Sequence, residues 1–96
     1  MTKKELFKEY EILCNSVLGA GRFLDGVNWN SNKSTIENGI KCLRASDAEM
    51  NDLLTVIKLA YPNTYKTISN NGNYLTHKFN RLYVFNTAHM VLRMGA

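Results

Sequence analysis

An all-α fold is predicted by three observations. Three capping-box patterns punctuate the chain, apolar residues recur every three or four positions behind each of them, and the one proline falls where a helix has to end. With 96 residues, 45% of them apolar and 21% charged, the chain has the balance of a globular domain. A small single-domain bundle of four to five helices spanning 1–96, with a long C-terminal helix, is expected.

Thr2-Lys3-Lys4-Glu5 opens the first helix, the threonine oxygen accepting a backbone N–H and the glutamate returning the bond. Leu6, Tyr10, Leu13, Val17 and Leu24 then share one stripe, and Gly19 and Gly21 weaken the last turns, so the end falls between Leu18 and Leu24. Asp25 to Lys33 is rich in Gly, Asn and Ser and reads as a loop. Its Trp29 is expected to fold back onto the core, where its large apolar area leaves water; the competing reading makes it an exposed anchor for another protein.

Ser34-Thr35-Ile36-Glu37 and Ser46-Asp47-Ala48-Glu49 start two further helices. The first carries Ile36, Ile40 and Leu43, the second Met50, Leu53, Leu54, Ile57 and Tyr61, and the short connection makes a tight corner. Pro62 ends the second helix and permits a short one behind it through Tyr65 and Ile68.

Two readings compete beyond that point. In one, Ser69 to Asn73 is a polar loop and a helix runs from about Asn73 to Met94, its inward stripe formed by Leu75, Phe79, Leu82, Phe85, Ala88 and Leu92. In the other, Asn71-Gly72 turns a β-hairpin over 65–79, giving an α+β, winged-helix-like fold. The helix is preferred, because its stripe continues for several turns without Pro or Gly, whereas strict alternation fails at Tyr74-Leu75. Val84, Val91 and Met94 make the opposite side apolar too, which suits a central helix or a homo-oligomer formed through it.

The formal charge of +4 is unevenly placed: residues 1–52 balance to −1, whereas residues 53–96 carry five cations and no acid. That asymmetry points to an acidic partner. In the preferred reading Lys66, Asn70, Asn71, Asn73, Tyr74, His77, Lys78 and Arg81 frame an anion-accepting face at the start of the last helix. Arg81 serves there as a bidentate donor, Lys78 as a point charge, the asparagines as amide donors and Tyr74 as a stacking surface. An exposed Arg81 also predicts that Arg81→Glu weakens binding and spares stability. The plainer alternative is a solvated helix face with no partner.

No GxSxG elbow, Walker loop, HExxH helix or paired-carboxylate site is present, and Gly19-Ala20-Gly21 follows a helical pattern rather than a strand, so no enzyme and no cofactor are expected. Cys14, Cys42, His77 and His89 lack the close pairing of metal ligands; the cysteines read as reduced core residues and His89 as a helix histidine near the core. No apolar run reaches the length of a membrane span, and a cytoplasmic location is expected. Three functions fit. The first is an adaptor or inhibitor docking the basic C-terminal face onto an acidic protein, an Asn- and Lys-rich composition being compatible with a phage or mobile-element accessory protein. The second is a DNA- or RNA-binding helix-turn-helix, disfavoured by three carboxylates at the start of its reading helix. The third is a binder of a nucleotide or other phosphate-bearing small ligand.

Overall fold

The computed structural model describes residues 1–70 and 78–95, with the side chains of 78–80 and 95 outside that description. The fold is all-α: α1 (Lys3–Val17), α2 (Lys33–Arg44), α3 (Asp47–Ala60), α4 (Pro62–Ser69) and α5 (Lys78–Gly95), with no strand among the described residues. The hairpin alternative needed an extended arm over 65–69, and that arm is α4: Pro62 at its first position pre-sets a helical φ and has no N–H to waste. The Asn71-Gly72 turn and the expected helix start at Asn73 lie outside the described residues. No described helix is long and apolar enough to cross a membrane.

The chain divides into two compact units, Met1–Ala45 and Ser46–Ala96. In the first, α1 packs on α2. Thr2 closes a complete capping box: its Oγ1 accepts the Glu5 N–H at 3.2 Å, and the Glu5 carboxylate accepts the Thr2 N–H at 3.1 Å. The Thr2 hydroxyl, which donates to the Glu5 carboxylate at 2.8 Å, and then the Thr2 N–H hold that carboxyl below its usual range. The start of α2 differs from expectation. Its cap is Asn32, whose Oδ1 accepts the Thr35 N–H at 2.9 Å, and Ser34 donates its hydroxyl to that same oxygen. Asparagine caps as well as serine does and comes two residues earlier, so the helix begins at Lys33.

Tyr10, wholly buried, organises this unit. Its hydroxyl accepts the Leu24 N–H at 2.9 Å and donates to the Val27 carbonyl at 3.0 Å, which ties α1 to the loop that follows it. Leu24 and Val27 are thereby seated in the core with Leu6, Cys14, Ile36 and Ile40. Gly39 lets the loop approach α2: a Cβ there would stand 3.3 Å from the Tyr10 ring and 3.4 Å from Leu24 and Val27. Gly19, the residue after the C-cap Leu18, takes a φ of +110°, a conformation open mainly to glycine, and there the chain leaves the helix that ends at Val17.

Burial pushes both the Tyr10 phenol and the Cys14 thiol above their ordinary ranges. The folded unit therefore holds the neutral forms, while unfolded chains release these protons near about pH 8.5 for cysteine and about pH 10 for tyrosine. Above those values the unfolded state binds fewer protons than the native one, so stability falls as pH rises. The urea midpoint should hold from neutrality to about pH 8, decline above about 8.5 and decline more steeply beyond about 10. Tyr10→Phe should remove the steeper limb; a flat midpoint to about pH 11 would contradict the buried phenol.

In the second unit α3 packs against both α4 and α5. Ser46 caps α3, its hydroxyl accepting the Glu49 N–H at 3.1 Å as its sequence pattern predicts. Met50, Leu53, Ile57, Ile68, Val84 and Ala88 are buried. Of the expected inward stripe of α5, Ala88 is buried, Leu75 and the Phe79 side chain lie outside the described residues, and the remainder differs. Arg81, Val84 and Ala88 point in, Leu82 and Phe85 are half-buried, and Leu92 is exposed. A helix apolar on nearly every side offers two stripes of similar weight, and periodicity alone cannot choose between them.

Candidate docking groove

The anion-accepting face expected at the C-terminal half is not assembled by the described residues. Lys66 and Asn70 are exposed at the end of α4, where Asn70 is the C-cap and donates its N–H to the Lys66 carbonyl at 3.1 Å. That is the negative pole of the helix, a place where a lysine is favourable without any partner. Asn71, Asn73, Tyr74 and His77 fall outside the described residues, and Lys78 is known only as the first residue of α5. Arg81 requires a correction: it is 2% exposed, with Nη1 4.0 Å from an Asp47 carboxylate oxygen. Its place in the inward stripe with Val84 and Ala88 removes it from any surface clamp. His89 is exposed on α5 beside Phe85 rather than near the core. Among the described residues no three His, Cys, Asp or Glu side chains gather as a metal ion would need.

The site that the folded chain does present lies on α1. A groove of about 590 Å³ runs along Lys4, Lys8, Glu11, Ile12 and Asn15, with Phe7 and Trp29 completing it. Positions three or four apart stack on one helical face, so this one is continuous for about 16 Å at 1.5 Å per residue. Trp29 is held in place although it is 50% exposed. Its ring meets Phe7 edge-on at a centroid distance of 5.3 Å, and the Lys3 ammonium stands 5.3 Å from the ring centroid. The loop beneath it is built from local bonds: Asn30 N–H to Asn28 Oδ1 at 2.9 Å, and Asn28 N–H to the Ser31 hydroxyl at 3.0 Å. The expectation that Trp29 folds back onto the core is met in part: its ring packs on Phe7 with Lys3 over it, and half of its surface stays exposed. Ile12, 60% exposed, supplies the second apolar surface.

The electrostatics of this helix are sorted by face. Glu5 is engaged by Thr2, and Glu9 pairs with Arg44 of α2. Lys4 and Lys8 have no carboxylate partner among the described residues. They are like charges four positions apart, which is mildly destabilising, and Lys3 and Lys4 sit at the positive end of the helix dipole, which is again unfavourable. The groove rim therefore carries two cations, of which Lys4 is disfavoured by its place in the helix, while Lys8 lies beyond the first turn with Glu5 and Glu11 three positions away. The half-chain balance of −1 hides them, because it counts carboxylates that the fold assigns elsewhere; the readable signal was Lys3, Lys4 and Lys8 within the first turns of an amphipathic helix.

No family model, curated protein or solved structure matches the chain.

Proposed function

We propose that this protein is a non-enzymatic binding module that docks an acidic protein partner, seated on the α1 groove rather than on the C-terminal face. The observation that carries this reading is the uncompensated Lys4 and Lys8 pair beside a half-open Trp29. A fixed aromatic with a cationic rim has the make-up of an interface hot spot: the ring supplies area at small entropic cost, and the lysines steer and orient an acidic surface. Phosphate-bearing ligands find less here, since Glu11 stands in the groove and no arginine lines it.

The double variant Lys4→Glu/Lys8→Glu separates this from a role in folding. An anion at position 4 suits the helix dipole, but positions 4 and 8 stay like-charged and position 8 then faces Glu5 and Glu11 three residues away, so the stability of α1 should change by less than about 1 kcal/mol. The same change should weaken partner binding at least about tenfold, since each lysine would now repel what it attracted. Parallel capture from source-cell lysate on wild type and double variant, with nuclease-treated controls, reads the outcome. An acidic protein retained at stoichiometry by the wild type, lost by the variant and released by moderate salt is the expected result. Equal retention by both, or release on nuclease treatment, would remove this reading.

A further inference from the structure

We infer that the occupant of the groove is an amphipathic helix of the partner, laid antiparallel to α1 with its acidic C-terminal turn over Lys4 and Lys8. This rests on the proposal that the groove docks an acidic protein, and it names the form that docking takes.

The first argument concerns backbone. The long wall of the groove is an α-helix whose interior N–H and C=O groups are already bonded to each other, so it offers no edge to which an extended chain could add. A helix brings its own internal bonds and asks only for a surface, and a length of about 16 Å matches about three turns of one. The second argument is the order of charge along the groove. Lys4 and Lys8, with Lys3 over the Trp29 ring, occupy the N-terminal part, while Glu11 and Asn15 occupy the rest. Asn15 already accepts the Gly21 N–H at 3.1 Å, which leaves Glu11 to repel acids from the distal part. Interleaved with these are Phe7 and Ile12 on α1, with Trp29 beside them, an apolar surface fitted to anchors at helical spacing. The third argument is dipolar. An antiparallel occupant sets the negative end of its own dipole, with its unsatisfied carbonyls, against the cationic start of α1; a parallel one sets positive against positive.

Trp29 is the single tryptophan, so its emission reports the groove directly. The probes are two end-blocked peptides of about 14 residues with identical composition and leucine anchors, one with its glutamates in the last turn and one with them in the first, beside polyglutamate. Glutamates at the C-terminus make a peptide less helical by itself, so intrinsic helicity works against the expected preference. The C-terminally acidic peptide should bind about two- to fivefold tighter, gain helical circular dichroism on binding, and lose its advantage on Lys4→Glu/Lys8→Glu. Equal or reversed affinities, or polyglutamate binding as well as either peptide, would overturn the helical, antiparallel occupant and leave acid docking standing. Absence of any salt-sensitive binding would overturn both. Trp29 emission that shifts with protein concentration alone, together with a doubled mass by light scattering, would make a second copy of the chain the occupant and would overturn the inference.

Discussion

Arg81→Glu is expected to lower the stability of unit 2 by about 3–5 kcal/mol, because it sets a carboxylate without a matching cation in a site that is closed to water. Arg81 is 2% exposed, and it makes interactions beyond the 4.0 Å approach to Asp47. A glutamate in its place brings a second carboxylate toward Asp47 and introduces a charge where there is little water to solvate it. Arg81→Met tests which property matters. It keeps most of the apolar stem and drops the charge, and apolar substitutes for buried ionic groups are often close to neutral, so its cost should be the smaller by a wide margin. Asp47 is 76% exposed and can rehydrate, so Asp47→Asn should cost little on its own. Urea unfolding of the three variants reads the ranking. An Arg81→Glu midpoint equal to wild type would return the guanidinium to the surface and revive the clamp read from the sequence.

Arg81 also shows where sequence reading reached its end. Helix identity was legible because capping chemistry and 3.6-residue periodicity are local: Thr2 and Ser46 cap as their patterns predict, and Pro62 opens α4. The exception at α2 is a competition between two good caps, Asn32 and Ser34, that lie two residues apart. Which side of a helix faces inward is a tertiary choice, and on α5 two apolar stripes left it undecided. The polar residue on the chosen stripe, Arg81, was read as surface because arginine usually is. The groove was half legible. Trp29 is conspicuous in its loop, although the favoured expectation sets it on the core, and the cations around it depend on Glu9 turning to Arg44 and Glu5 turning to Thr2, pairings invisible to a charge count.

Tyr10→Phe is expected to cost unit 1 about 2–4 kcal/mol, a large effect for one oxygen atom, because the substitution leaves the Leu24 N–H without its acceptor and the Val27 carbonyl without its donor in the interior. Stability and the shape of the groove are joined at this residue. The loop fastened by the Tyr10 hydroxyl at Leu24 and Val27 is the one that carries Trp29 two residues further on, so loosening it should blur the groove without altering any residue that lines it. Two readouts separate the consequences. The urea midpoint of Tyr10→Phe reports the missing bonds, while Trp29 emission under fully native conditions reports the loop, and it should shift toward the value of a solvated indole. If the midpoint falls and native emission stays unchanged, then the Phe7 edge contact and the local Asn28, Asn30 and Ser31 bonds hold the tryptophan by themselves. If neither changes, the hydroxyl does not bridge helix and loop. The expected joint shift would mean that the groove on α1 keeps its Trp29 wall in place through a buried phenol on another side of the same helix, the Phe7 contact and the local loop bonds being insufficient alone.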